Sequence, residues 1–330
     1  MDDKDRQLLG FLRKGINLTS RPFQDLAAKI GADSGESEIF LRMISLREKN
    51  LAGSLTVVLN SQLLAYQSVW VAAKLPGSEN EFDRVAARIN EYPGVIKSQR
   101  RAHDFNFWFT LILPSVEPVE DHLHRLRQVS GSEKLIMIPL IKRFKAGNAV
   151  ESFVSPGFLD FSNQEIEILR KIQEELPLLD RPFQKWARDL EMTETDFLEN
   201  IKDFVKRGIV RRFAMIFPAE EKLSASQNML VWQVPEEKQD AIAASISSFP
   251  GVSQCDRRRV LSEFPYPLVA FFSSKTESVE ETVLGIQKKI GKWPWVSIPV
   301  VSELKNSRPF YFPKDLEPQL QTSEQILKEV

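Results

Sequence analysis

The sequence predicts an α+β chain made by tandem duplication, in which each copy runs three short helices and a strand into a βαββαβ segment. Three observations predict it: a motif repeated half a chain apart, a helical period that recurs at the head of each half, and strand-like alternation after it. Leu18-Thr19-Ser20-Arg21-Pro22-Phe23-Gln24 is answered by Leu178-Leu179-Asp180-Arg181-Pro182-Phe183-Gln184, an offset of 160 from Arg21 to Arg181. Tyr92-Pro93-Gly94-Val95 is answered by Phe249-Pro250-Gly251-Val252, an offset of 157 from Gly94 to Gly251, and Arg101 then aligns with Arg258 without a gap. Loops tolerate small length changes cheaply, so a drift of a few residues between two ordered matches is what duplication leaves behind.

Each copy opens on apolar residues at helical spacing, Leu8, Leu9, Phe11 and Leu12 in the first and Ile166, Ile168, Leu169 and Ile172 in the second. A second helix follows each Arg-Pro-Phe turn, over 23–30 and 183–190, with proline suited to a first turn. A third spans about 37–49 and 194–207, the latter behind Thr193 as N-cap. Apolar strands at 55–59 and 209–217 complete two winged helix-turn-helix segments. The remainder alternates strand (68–75; 228–234), helix (79–91; 236–249), strand (95–101; 252–258), strand (105–113; 266–273), helix (119–129; 279–290) and strand (134–141; 295–301). That order gives two ferredoxin-like half-sandwiches whose open sheet faces need a cover, which each supplies to the other in a pseudo-two-fold dimer within one chain. The boundaries that follow are 1–60 and 162–218 for the winged segments, 61–147 and 219–312 for the βαββαβ domains, 148–161 for the linker and 313–330 for a polar tail. A homodimer of the whole chain is compatible with this plan.

Lysine plus arginine (44) nearly cancels aspartate plus glutamate (45) over the 330 residues, so no global basic field draws in a polyanion. One cysteine, Cys255, excludes an intramolecular disulfide, the acidic N-terminus lacks a secretory pattern, and no apolar run approaches the roughly 20 residues of a membrane span, all of which predicts a cytoplasmic protein with no membrane partner. One cysteine and three histidines cannot make a metal cluster of ordinary spacing, and no glycine-rich phosphate loop is present. His122 and His124 lie in a charged helix whose pattern predicts a solvated face. His103 lies in a strand connection, amid Arg100-Arg101-Ala102-His103-Asp104-Phe105-Asn106-Phe107-Trp108, and is the histidine best placed for chemistry. Arginines recur at matching strand ends, Arg100 and Arg101 in one copy and Arg257, Arg258 and Arg259 in the other. A planar guanidinium fork suits carboxylates, which predicts a polycarboxylate ligand, whereas Lys142-Arg143-Phe144-Lys145 looks like an ordinary basic turn.

Winged helix-turn-helix joined to βαββαβ resembles the Lrp/AsnC regulators, which bind DNA. A recognition helix must set donors and cations against phosphates, yet these helices begin with Glu36 and Glu38 or with Glu194, Asp196 and Glu199, so DNA is an unfavoured partner. The Arg-Pro-Phe turns, Gly208-Ile209-Val210-Arg211-Arg212-Phe213, Asn228-Met229-Leu230-Val231-Trp232-Gln233-Val234-Pro235, Phe105-Asn106-Phe107-Trp108-Phe109-Thr110 and Phe264-Pro265-Tyr266 are together similar to the Lrp/AsnC-like siroheme decarboxylases of heme d1 and alternative heme synthesis. The likeness runs through nearly the whole chain, the first half matching one subunit type and the second half the other. It implies a lyase that removes acetate carboxylates from siroheme, an iron tetrapyrrole bound as substrate, with no other cofactor required and no metal site of the protein's own. The implied substrate-binding residues are Arg100, Arg101, Arg257, Arg258, Arg211 and Arg212 as cations, with Trp108, Asn106, Trp232 and Tyr266 around the ring. The family's Ser/Thr-His-x-Tyr-x-Arg strand departs here to Ile96-Lys97-Ser98-Gln99-Arg100-Arg101 and Ser253-Gln254-Cys255-Asp256-Arg257-Arg258, leaving His103 and Lys97 as candidate acids. An Lrp/AsnC-type transcriptional regulator and a non-catalytic tetrapyrrole-binding homologue are the alternative readings.

Overall fold

The computed structural model describes residues 1–31, 35–132, 134–145, 161–215, 228–272 and 279–313. The expected linker and tail lie almost wholly outside these residues. The chain divides into two compact units, and each draws on both repeats: a helical unit (1–65, 155–220 and 310–330) and a sheet unit (66–154 and 221–309).

In the helical unit the two copies present the same three helices, α1 (Asp3–Lys14), α2 (Pro22–Ile30) and α3 (Glu36–Glu48), then α6 (Asn163–Ile172), α7 (Pro182–Asp189) and α8 (Glu194–Lys206). Capping boxes start α1 at Asp2 with Asp5 and α6 at Ser162 with Glu165, and Thr193 caps α8 as its position predicts. Proline opens α2 and α7, where its missing N–H would be unpaired anyway. In the Arg-Pro-Phe turns, Arg21 pairs with Glu36 at 2.8 Å and Arg181 pairs with Glu194, so each arginine ties its turn to the first residue of the third helix. The strands do not form separate wings. β1 (Leu55–Leu59) pairs antiparallel with β7 (Val210–Met215), so each copy's strand finds its partner in the other copy.

The sheet unit holds two five-stranded sheets. The first, in the order β12-β3-β4-β2-β5, contains β2 (Tyr66–Ala73), β3 (Val95–Arg101), β4 (Phe107–Pro114), β5 (Leu135–Met137) and β12 (Val300–Asn306). The second, in the order β11-β8-β10-β9-β6, contains β6 (Leu140–Lys145), β8 (Asn228–Trp232), β9 (Val252–Arg258), β10 (Leu268–Phe272) and β11 (Trp295–Ile298). Here the structure differs from the sequence expectation. The last strand of each βαββαβ is not continuous but breaks at Pro139 and Pro299, and its second half leaves the home sheet to become an edge strand of the other. Proline has no amide to continue the ladder, so the chain turns out at that point. The basic run from Lys142 to Lys145 therefore belongs to this exchanged strand and is not a surface turn.

Alternation sorts the side chains into three cores. Val71, Ala73, Phe107, Phe109 and Leu111 pack under α4 (Glu79–Glu91) and α5 (Val119–Ser130). Leu230, Trp232, Leu268 and Ala270 pack under α9 (Gln239–Ser247) and α10 (Val279–Ile290). The third core joins Trp70, Ala72, Trp108 and Ile138 of one sheet to Met229, Val231, Val269, Phe271 and Ile298 of the other, with no helix between, as the exposed faces of two half-sandwiches require.

The tight turns before β3 and β9 need glycine. At Gly94, with φ of +85°, a Cβ would stand 2.2 Å from the carbonyl oxygen of Ile112, whereas at Gly31, with φ of +62°, it would meet nothing within 4 Å. Gly94→Ala is expected to cost more than about 2 kcal/mol, and Gly31→Ala only about 1 kcal/mol from the left-handed backbone itself. Urea melts of the two variants, measured side by side, check this ordering.

Candidate functional site

On β3 the side chains of Lys97, Gln99 and Arg101 share one face, and on β9 those of Gln254, Asp256 and Arg258 do the same, because strand residues two apart point the same way. Both faces look into the space between the sheets. Arg101 and Arg258 are 3% and 1% exposed, so the guanidiniums repeated at the strand ends are interior groups and not surface charges.

The two arginines make matching contacts. Arg258 donates from Nη1 to the carbonyl of Ile138 at 2.9 Å, and Arg101 donates from Nη1 to the carbonyl of Ile298 at 2.8 Å. Those carbonyls precede Pro139 and Pro299, where the chain crosses between sheets. Backbone bonds from Arg259 N–H to the Pro139 carbonyl (2.9 Å) and from Ala102 N–H to the Pro299 carbonyl (3.1 Å) fasten the same crossings. Each guanidinium also faces an aromatic ring of the opposite sheet, Arg258 with Trp70 at 4.4 Å and Arg101 with Phe271 at 5.8 Å.

The remaining partners differ. Arg258 donates from Nη2 to Asp256 Oδ2 at 2.7 Å, and Asp256, fully buried, also accepts from Arg143 Nε at 2.9 Å and from Gln254 Nε2 at 2.7 Å. Burial works to raise the Asp256 pKa, but Arg258 and Arg143 outweigh it and hold the carboxyl below its ordinary value. In the equivalent place Arg101 meets the amide of Gln99, donating from Nη2 to Oε1 at 2.6 Å. Burial lowers the Arg101 pKa, with no carboxylate opposing the shift. Lys97 beside it is likewise lowered, first by burial and then by the charge of Arg101, while Glu303 on β12 pulls the other way.

His103 is half-buried beside this face. Its ring lies 6.3 Å from Phe264 and 6.5 Å from Trp108, and its Nδ1 accepts the Phe105 amide N–H at 3.1 Å, so the proton of the neutral ring sits on Nε2. Burial pushes its pKa down, against the neighbouring charge of Asp104. Trp108 is anchored by its indole N–H to the Phe105 carbonyl at 2.7 Å, and Tyr266 packs on Phe264 at 5.1 Å at the rim of the inter-sheet core.

Other expected site residues lie elsewhere. Arg100 is on the helix-covered face of β3, 2.5 Å from Glu79 and stacked over Phe82, and Arg257 is in the matching place on β9, 2.8 Å from Asp240. Trp232 belongs to the helix-side core of its sheet. The Asn106 amide is occupied by the backbone of Leu75, accepting its N–H at 2.8 Å and donating to its carbonyl at 3.1 Å, and so staples the strand connection. Arg211 and Arg212 sit exposed on β7 in the helical unit. His122 is not solvated as its helix pattern predicts: it is 1% exposed, with Nε2 2.5 Å from Glu117 and Nδ1 2.9 Å from the Tyr92 hydroxyl, while His124 is exposed. The helix turns its charged face outward, and His122 falls on the side packed against Tyr92. Trp70, Phe271 and Arg143 do not stand out in the sequence; the available signal for Arg143 is the proline ahead of it in a strand-like run. Among the described residues no cluster of histidine, cysteine or carboxylates could hold a metal, and no helix is long and apolar enough to cross a membrane.

Face-to-face sheets with exchanged edge strands, joined to a duplicated helix-turn-helix unit, define a chain of the Lrp/AsnC-like class in which both halves of a dimer are fused. The AsnC-like ligand binding domain matches residues 65–145 and 224–305, and the siroheme decarboxylase NirDL-like HTH domain matches residues 165–211. The siroheme decarboxylase of Hydrogenobacter thermophilus is 26% identical over 96% of this chain and 97% of its own length. The siroheme decarboxylase alpha subunit of Desulfovibrio desulfuricans is 35% identical over 44% of this chain and 81% of the subunit. The crystal structure of the siroheme decarboxylase NirDL in complex with an iron-uroporphyrin III analogue superposes with a TM-score of 0.75 at 26% identity, covering 98% of this chain and 100% of that one. This chain belongs to the siroheme decarboxylase family.

Asp256 is the carboxylate whose loss the sheet unit should feel most. Asp256→Asn leaves Arg258 and Arg143 without their shared counter-ion, and the expected cost is about 3 kcal/mol or more. Because the folded-state pKa of Asp256 is depressed, its contribution is present above the ordinary value of 3.8 and disappears as pH falls below it. Urea midpoints followed from pH 6 to pH 2 should fall less steeply below pH 4 in the variant than in the parent chain.

Proposed function

We propose that this chain removes acetate carboxylates from siroheme, or from an iron tetrapyrrole with the same carboxylates, and that the inter-sheet face around Lys97, Arg101 and His103 performs the reaction. The observation that carries this reading is Arg101, a guanidinium 3% exposed and without a carboxylate partner among the described residues. Taking such a cation out of water costs several kcal/mol, and an anion delivered by a ligand offsets that cost. A tetrapyrrole bearing many carboxylates supplies the anion, while the partly exposed Tyr266, backed by the buried Phe264 and Trp108, offers an aromatic edge for its ring.

The chemistry is redox-neutral. The carbon–carbon bond to one carboxylate breaks, carbon dioxide leaves, and the electron pair stays on the side-chain carbon, which takes a proton and becomes a methyl group. A positioned acid must supply the proton. Lys97 and His103 are the groups able to do so. Their lowered pKa values make them stronger acids than the free side chains, and the two lie on either side of Arg101 in the chain. The helical unit needs no DNA in this reading, since the cations of its Arg-Pro-Phe turns are neutralised by Glu36 and Glu194 of the same unit.

Anaerobic incubation with siroheme followed by mass analysis is expected to show loss of two carbon dioxide equivalents; an unchanged mass rules the reading out. An acid must be protonated to act, so kcat should fall as pH rises through the depressed pKa of the donor. Lys97→Gln should lower kcat by about 10²–10⁴ and erase that alkaline limb if Lys97 is the donor, with His103→Gln doing so if His103 is.

A further inference from the structure

The pseudo-two-fold axis relates the two buried arginines closely enough to ask whether the chain holds two ligand sites or one. Backbone register is matched: Gln99 lies opposite Trp108 and Glu303, and Asp256 opposite Val269 and Arg143. The two clusters also carry the same formal charge, two cations and one carboxylate each, Lys97, Arg101 and Glu303 against Arg143, Arg258 and Asp256. What differs is where the carboxylate sits. Asp256 is in direct contact with Arg258 at 2.7 Å, a buried pair whose network the partly exposed Arg143 and Gln254 complete. Glu303 stands on the exchanged strand, accepts from Asn306 at 3.2 Å, and makes no ion pair with Arg101 within 4 Å.

We propose that this chain has a single carboxylate-accepting site, at Arg101, and that Asp256 closes the pseudo-symmetric position at Arg258 by standing where a ligand carboxylate would stand. This rests on the reading that the inter-sheet face binds a tetrapyrrole polycarboxylate. Gln99 and Asp256 are then the residues that decide which half binds. An amide at 99 satisfies one Nη of its arginine and leaves the positive charge uncancelled, whereas a carboxylate at 256 cancels it. A second anion brought to Arg258 would have to displace Asp256 from two guanidiniums or share a desolvated space with it, and like charges in such a space repel strongly.

The probe is iron uroporphyrin III, an octacarboxylate, titrated into the full chain by Soret absorbance, with native mass spectrometry for stoichiometry. Wild type should take up one equivalent per chain. Gln99→Asp copies the second half's arrangement and should weaken binding at least tenfold, while its melting temperature without ligand stays equal to or above that of wild type. Gln99→Asn, short but neutral, should bind within about threefold of wild type, which separates charge from shape. Two equivalents on wild type, no uptake at all, a folded Gln99→Asp that binds as wild type does, or Gln99→Asn failing equally would each overturn the proposal. The decarboxylation assay reports separately. A chain that decarboxylates siroheme yet binds two equivalents keeps its function and loses this inference; one that binds a single equivalent with the expected Gln99 pattern yet leaves siroheme unchanged does the reverse.

Discussion

The crossing of each last strand from its own sheet to its neighbour is the constraint around which the sheet unit is built. Pro139 and Pro299 interrupt the ladder, and the carbonyls of Ile138 and Ile298 are left inside the unit. A buried carbonyl without a donor costs about 1–3 kcal/mol, and the donors come from Arg258 and Arg101. The same contacts hold both guanidiniums between the sheets, against Trp70 and Phe271. Exchange of β6 and β12 thus completes each five-stranded sheet, makes the two halves inseparable, and fixes where the interior cations are.

A structural role for these arginines does not compete with a role in binding. Pinning a crossing engages one nitrogen of the fork and leaves the charge to be answered separately. In one half the chain answers it with Asp256. In the other, Arg101 has no carboxylate partner among the described residues, and the groups near it are a lysine of lowered pKa, a half-buried histidine with a defined tautomer, and the aromatic rings of the inter-sheet core. Duplication within one chain permits this. Two identical subunits carry the same residue at both sites, whereas fused copies can diverge at one.

The two units use duplication in the same manner. In the helical unit β1 and β7 pair across copies, and the turn arginines repeat the same bond to the third helix. The second copy carries no histidine at the place of His122. The buried contacts of His122 with Glu117 and Tyr92 join α5 to the turn before β3.

Much of the fold was legible in the sequence because its periodicities are local. Repeated Arg-Pro-Phe and Pro-Gly-Val turns, apolar residues at helical spacing and strand alternation fixed the duplication, the element order and the expectation that two open sheet faces would meet. The repeat also singled out Arg101 and Arg258, and the strand connection singled out His103, while Lys97 stood out only through the resemblance to the siroheme decarboxylases; the fold places all four at the inter-sheet faces. Neighbouring positions could not be ranked the same way. Arg100 and Arg257 read like Arg101 and Arg258 until the pleat sends them to the helix side, and Asn106 and Trp232 looked available until their surroundings were known. The strand exchange, the carbonyl and the ring that each buried arginine meets, and the approach of Arg143 to Asp256 depend on residues more than a hundred positions apart. Local propensity carries no information about such pairs; only the packed sheets decide which carboxylate, carbonyl or ring a guanidinium meets.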